Sequence, residues 1–329
     1  MSVEIEAPPE PESEPLRWRL ALGLFLATVG STFWVGSYQV LKRSPGEVYT
    51  SLRPGGLRPA LLGALEALGE GWRFAVPLLA ILLSHEFGHW LLARRHRVEA
   101  SLPMFIPFPN LFGTMGAVIS MRGRIRTRDA LVDIGASGPL CGLVVAVGVM
   151  LVGLKLSAVK YDRGSHGVLL EGDSLLYLAL KRLVCGPLAD GYGVWLHPAA
   201  FAAWAGFFVT MMNLLPIGQL DGGHVAYALF GRRADALSRR LVWALAALGA
   251  GVALWVVAVT PRGELDGTAF TPATIWLLWA ALSRGLLRLY DDAHPPVEDT
   301  GLSPGRRALA WVSLGCFVLL FMPLPVRLL

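Results

Sequence analysis

Charge is what this chain has least of. Only 16% of its 329 residues are Asp, Glu, Lys or Arg, against 54% hydrophobic, where a soluble chain carries about a quarter charged residues. That shortage, with a mean hydropathy of +0.53, excludes an ordinary soluble domain and points to the bilayer. Cysteine is equally scarce: Cys141, Cys185 and Cys316 are scattered, and two fall inside apolar runs. They read as small buried hydrophobes, which excludes a disulfide framework or a cysteine metal cluster. A basic leader is missing too. The first fifteen residues hold five Glu and four Pro, the wrong charge for a secretory signal, so no cleaved signal peptide is expected and residues 1–15 read as an acidic disordered tail. Finger spacing, an aromatic RNA-binding pattern and a long basic stripe are all absent, which removes nucleic acid as a partner despite a net charge of +5.

Long apolar runs are plentiful. A transmembrane helix needs about 20 mostly apolar residues, and such runs fall at 17–40, 73–93, 130–154, 198–217, 240–260, 271–289 and 307–325. The expected fold is an all-α polytopic membrane protein with about seven spans. Threaded alternately, these spans gather Arg94-Arg95-His96-Arg97, the four Arg between Arg122 and Arg128, the Arg232 to Arg240 stretch and the Arg284 to Arg307 stretch on one side. The positive-inside rule makes that side cytoplasmic, with the N-terminus there and the C-terminus outside. The opposite side also carries Lys42, Arg43, Arg53 and Arg58, so the bias is moderate. The expected setting is a multi-pass integral membrane protein, of a cell's inner membrane.

Two stretches break the pattern. Residues 102–120 are apolar but interrupted by Pro103, Pro107, Pro109, Gly113 and Gly116, which argues against a straight helix. Because the stretch lies between two Arg clusters of one side, it reads as a re-entrant hairpin, tolerated where protein or a water-filled cavity satisfies its backbone. Residues 174–185 are too short to span and carry Lys181 and Arg182, which suits an interfacial helix. No internal repeat is evident, and the loop at 156–197 is too small for an ordinary inserted domain.

The chemistry concentrates in His85-Glu86-Phe87-Gly88-His89. Residues i and i+4 share a helix face, so His85 and His89 can offer two imidazoles to one metal while Glu86 reaches an adjacent water. A polar knot between helices is the competing account. An ionisable residue inside a span costs about 2.5 kcal/mol or more, however, so Glu86 between two histidines needs a reason. Catalytic zinc usually takes three protein ligands. Candidates for the third are Asp133, His197, Asp221, His224 and Asp266. Asp221 stands out because it ends a second polar constellation, Asn213-Leu214-Leu215-Pro216-Ile217-Gly218-Gln219-Leu220-Asp221-Gly222-Gly223, at the same end of its span as the histidines.

With these residues together, the sequence resembles the site-2 protease family of intramembrane metalloproteases. The shared features are the His85 to His89 motif, the N-x-x-P-x-x-x-x-D-G pattern from Asn213 to Gly222, and Ser137-Gly138-Pro139-Leu140 between them, a resemblance that covers about residues 72–231. It implies one Zn2+ per chain ligated by His85, His89 and Asp221, Glu86 as general base, and Asn213 close enough to hold substrate or stabilise an oxyanion. It also implies that the hairpin, with Asn110 to Ile119 as an edge strand, pairs with an unwound substrate. Single-span proteins already shortened by another protease would be the substrates. Many family members carry a PDZ-type or nucleotide-sensing domain; residues 16–329 leave room for neither. The residues alone keep two rivals open, another membrane zinc peptidase with a glutamate ligand, for which Glu264 and Glu298 are the candidates, and a non-catalytic transporter or scaffold. His224 is read as a neighbour of the metal, His96 as facing solvent or headgroups, and His294-Pro295-Pro296 as a rigid exposed loop that could cover the site, without assigned chemistry.

Overall fold

The computed structural model describes residues 18–41, 68–121, 125–161, 169–260, 267–290, 294–295, 297–298 and 301–328. The acidic tail, Arg122, Arg124, His166, Glu264 and Asp266 lie outside them. The architecture is mostly helical with a few short strands, in the order α1 (Trp18–Leu41), α2 (Trp72–Arg95), β1 (Met104–Pro107), β2 (Thr114–Val118), α3 (Arg128–Lys155), β3 (Ala158–Tyr161), β4 (Leu169–Glu171), α4 (Leu175–Cys185), β5 (Tyr192–Trp195), α5 (Pro198–Asn213), α6 (Asp221–Phe230), α7 (Arg233–Val259), α8 (Thr271–Leu289), α9 (Pro304–Leu320) and β6 (Val326–Leu328).

Each of the seven apolar runs is a helix, but among the described residues four are long and apolar enough to cross a membrane: Trp18–Ser37 of α1, and α2, α3 and α7. The run at 198–217 is shorter than expected, because α5 has 16 residues and stops at Asn213. Leu214, Leu215 and Ile217 continue the apolar run as a buried turn, not as helix. The short 174–185 stretch is α4, started by Ser174, whose Oγ accepts from Tyr177 N at 3.2 Å. No disulfide joins the cysteines, and Cys141 is exposed on α3 where burial was expected; it sits on the outward face of an apolar helix.

Helix α3 is the organising element, packed against α2, α5, α6 and α9. Small residues let it approach its neighbours. A Cβ on Gly88 of α2 would stand 2.7 Å from Ser137 O of α3, and one on Gly153 would collide with the Ala200 backbone of α5. The main core is shared by α2, α3, α5, α7 and α8, with Phe74, Trp204, Phe207 and Trp276 among its fully buried side chains.

The expected hairpin is present. β1 and β2 pair antiparallel, Met104 opposite Val118 and Phe105 opposite Ala117, with an irregularity before Pro107 meets Thr114. Its strand is shorter than the sequence suggested. Residues 110–113 form the turn, with Asn110 Oδ1 accepting from Phe112 N at 2.9 Å and Gly113 at φ +76°. The hairpin is pinned to α1 and α5: Ser31 Oγ donates to Gly113 O at 2.6 Å, Phe105 meets Phe25 edge-on, and Phe112 packs against Trp204 and Phe208.

Candidate active site

The middle of α2 carries His85, Glu86 and His89, which are 4%, 7% and 6% exposed. Burial at that level leaves no water shell to satisfy three polar groups in an apolar helix. Their partners come from elsewhere in the chain. His89 Nδ1 donates to Ile134 O of α3 at 2.7 Å, so the neutral ring bears its lone pair on Nε2. His85 Nε2 lies 3.3 Å from Asn213 Nδ2, a donor, which leaves a lone pair on that nitrogen as well. Asp221, the first residue of α6, brings Oδ2 to 3.4 Å from His85 Nε2 and 3.3 Å from His89 Nε2, and the two Nε2 atoms are 3.2 Å apart.

Three lone-pair atoms thus form a nearly equilateral triangle with sides of 3.2–3.4 Å. A tetrahedral zinc with bonds of about 2.0–2.1 Å has ligand edges of about 3.3 Å. His85, His89 and Asp221 therefore fit one zinc ion, and this donor set is the one metal-type cluster among the described residues.

Helix α3 positions the donors by what it omits. Along one face of it, Gly135, Gly138 and Gly142 meet Asp221 O, the His89 imidazole and the His85 side chain. A Cβ on Gly138 would overlap the His89 ring itself. The Ser137-Gly138 pair noted in the sequence owes its place to this contact. Gly222 and Gly223 beside the ligand are both helical in α6, and the sharp turn lies earlier, at Gly218 with φ +53°. Their missing Cβ atoms admit the carbonyls of Leu214 and Gly218, which would otherwise collide with α6.

The triangle opens into a cavity of about 670 Å³ that Glu86 and Asn213 also line, with hairpin residues 117–121 and, from beyond α8, Tyr290, His294, Pro295 and Val297. Of the other sequence candidates, His197 caps α5, its Nδ1 accepting from Ala199 N. Asp133 is engaged by His96 Nε2 at 2.9 Å and by Arg306 through Nε at 3.2 Å and Nη2 at 3.1 Å. His96 therefore faces a carboxylate and not solvent. Glu298 is bonded through its backbone to Arg126 O and lies outside the donor cluster. His224 pairs with His294, Nδ1 to Nε2 at 2.8 Å, and His294 stacks on Tyr227 with centroids 4.1 Å apart. The segment read as an exposed loop is thus part of the cavity wall. Burial pushes His224 down to about 4, with the His294 imidazole adding to it, and burial also lowers His294. Sequence reasoning missed Ile134 and the glycine row, of which only Gly138 stood in a motif that had been noticed, and it had singled out His294 without assigning its chemistry.

A helical, membrane-type chain with a buried two-histidine, one-aspartate donor set and an adjacent glutamate defines the class as a membrane metallopeptidase scaffold. Residues 73–257 match the model of peptidase family M50, and the chain belongs to that family, the site-2 protease family. It is 34% identical over 248 residues to "Probable zinc metalloprotease EGY1, chloroplastic" of Arabidopsis thaliana, covering 71% of this chain and 44% of the relative. The protein of the same name from Oryza sativa subsp. japonica is 32% identical over 312 residues, 93% of this chain and 50% of that one. "Probable zinc metallopeptidase EGY3, chloroplastic" of Arabidopsis thaliana is 30% identical over 268 residues, 74% and 41%. The chain spans half or less of the length of these curated relatives.

Proposed function

We propose that this chain is an intramembrane zinc metalloprotease that hydrolyses peptide bonds within or near the transmembrane helix of membrane-tethered proteins. The observation that carries the reading is the triangle of His85, His89 and Asp221 donor atoms beside Glu86 in one cavity. Zinc bound there supplies Lewis acidity, acidifying water and polarising a peptide carbonyl. The chain's own residues do the rest. Ile134 O fixes the tautomer and orientation of His89. The Glu86 carboxylate takes a proton from the attacking water and returns it to the leaving nitrogen. Asn213 Nδ2 provides a donor at the edge of the site where charge develops on the scissile carbonyl oxygen.

The hairpin supports a substrate that arrives extended. Among the described residues β2 pairs with β1 alone, so its other edge has no strand beside it, and β2 runs into the cavity wall. A peptide added there gains main-chain hydrogen bonds, which a transmembrane helix must unwind to make. Seven spans, a cytoplasmic N-terminus and a site near the cytoplasmic face of a cell's inner membrane complete the reading. It is supported by the basic residues that flank the ends of α2, α3, α7, α8 and α9 nearest the site. Single-span proteins pre-cut by another protease are the substrates it favours. The test is cleavage of a single-span substrate in proteoliposomes. Glu86→Gln is expected to lower the rate by about 10²–10⁴-fold while zinc content stays at the wild-type level. Cleavage by that variant at the wild-type rate would refute the mechanism.

A further inference from the structure

The family match ends at residue 257, yet residues beyond it help to wall the cavity. The segment that supplies them is bonded to the N-terminal turns of two helices and to the stretch of chain that leads into one of them. His294 N donates to Asp235 Oδ1 of α7 at 3.0 Å, Glu298 N to Arg126 O at 2.9 Å, and Ser303 N to Asp129 Oδ1 of α3 at 2.9 Å. His294 itself stacks on Tyr227 of α6. The described residues of the C-terminal segment are therefore held against the site by α7, α6 and the start of α3.

Its hydrogen bonds have a direction. Pro295 O can only accept, so His294 Nδ1, 2.8 Å away, carries the hydrogen. The neutral ring then has its lone pair on Nε2, and the 2.8 Å contact with His224 requires His224 Nδ1 to donate. That leaves His224 with an unprotonated Nε2 on a ring that lines the cavity and lies outside the metal-type cluster. Two residues before Asp221, Gln219 lines the same cavity, and its Nε2 is buried without a hydrogen-bond partner. One buried donor and one fixed acceptor thus flank the Asp221 ligand in a cavity whose other lone pairs converge on the donor triangle. A buried polar group left without a partner is costly, so Gln219 Nε2 is built for something that enters the cavity beside the His224 acceptor.

An extended peptide is the ligand that carries both complements, a carbonyl oxygen and an N–H, on every residue. We propose that Gln219 and His224 form a main-chain clamp in which Gln219 Nε2 donates to a substrate carbonyl and His224 Nε2 accepts from a substrate N–H, the His224 tautomer being set by His294 and Pro295. This inference rests on the peptidase reading above and specifies how the substrate is gripped. It also gives the C-terminal segment a role that its sequence did not announce.

Two measurements test it. In ¹⁵N-histidine spectra of the wild-type protein His224 is expected in the Nδ1-protonated form. His294→Phe, which keeps the stack on Tyr227 and removes the acceptor, should abolish that preference. In the non-hydrolysing Glu86→Gln background, affinity for a synthetic single-span peptide in proteoliposomes should fall about 3–10-fold in His224→Phe and in Gln219→Leu. His224→Gln, which restores an acceptor, should recover most of the loss, and zinc content should hold in all three. An Nε2-protonated His224 in the wild type, undiminished peptide affinity in His224→Phe, or loss of zinc in that variant would each overturn the clamp. Absence of cleavage by the wild-type protein would instead sink the peptidase reading, which the tautomer measurement does not depend on.

Discussion

Two aspartates of this protein, Asp221 and Asp133, have histidines beside them, and only one sits in a metal-type cluster. At Asp133 the neighbours are all donors: His96 Nε2 at 2.9 Å and the Arg306 guanidinium at 3.1 and 3.2 Å. Three N–H groups already occupy its oxygens, and the Arg306 charge among them disfavours a cation. At Asp221 the neighbours are two imidazole nitrogens, His89 Nε2, left unprotonated by the Ile134 carbonyl on the far side of its ring, and His85 Nε2, an acceptor beside the Asn213 amide. Three acceptors within 3.4 Å of one another repel unless something positive lies between them. The residue types are nearly the same, and the hydrogens decide which cluster is a clamp and which is a cage.

The clamp serves the cage. Asp133 precedes Ile134, whose carbonyl orients His89, and Arg306 ties α9 to this point of α3. The C-terminal helix therefore steadies the ligand-bearing region from outside the stretch that matches the family.

The largest effect that separates the two aspartates is expected for Asp221→Ala. It leaves a two-histidine site, and zinc affinity should fall by more than about 100-fold, since even outer partners of metal ligands carry 10–100-fold. Metal analysis of the purified protein reads this directly, and full zinc occupancy in Asp221→Ala would erase the distinction drawn here. Next comes Gly138→Ala. Its new Cβ would overlap the His89 ring, so cleavage should drop by about 10–100-fold. Gly148→Ala, on the same helix with open space around it, should behave as wild type in the same assay. Asp133→Asn is milder. It weakens the contact between buried Asp133 and Arg306, and a modestly lower unfolding temperature, with zinc content unchanged, is the expected result. Loss of zinc in Asp133→Asn would show that the clamp is part of the cage.

How much of this the sequence disclosed follows from where each partner lies. His85 and His89 are one helical turn apart, so their shared face could be read from spacing, and Asp221 was found through a motif at the same depth. The His96 to Asp133 contact joins residues 37 apart, and a histidine among arginines offered no reason to look inward. The row of Gly135, Gly138 and Gly142 was invisible for a different reason: its meaning is the absence of atoms where His85, His89 and Asp221 need room. The end of α5 was misplaced because hydropathy measures burial and not helicity. Leu214, Leu215 and Ile217 are buried, 0%, 3% and 2% exposed, in a turn that continues the apolar run after the helix has stopped.

A third carboxylate sharpens the comparison at its weak end. Glu171, at the end of β4, has two neutral donors, its own backbone N–H and the Tyr177 hydroxyl at 2.9 Å, fewer donors than Asp133 and without the converging lone pairs of Asp221. Burial raises its pKa above the ordinary 4.5, and the hydrogen bonds from its own backbone and from Tyr177 offset only part of this. The folded state then holds the proton more tightly than the unfolded chain does. The stability tied to that proton is complete below 4.5 and is lost as pH rises through the raised value. Wild-type protein should accordingly unfold at a lower temperature at pH 8 than at pH 5 through this group. Glu171→Gln keeps an acceptor for Tyr177 but cannot ionise, so its unfolding temperature should lose that slope and exceed the wild type's at pH 8. An unchanged slope in Glu171→Gln would mean that counting donors around a carboxylate does not predict its charge in this fold, and the contrast between Asp133 and Asp221 would need another cause.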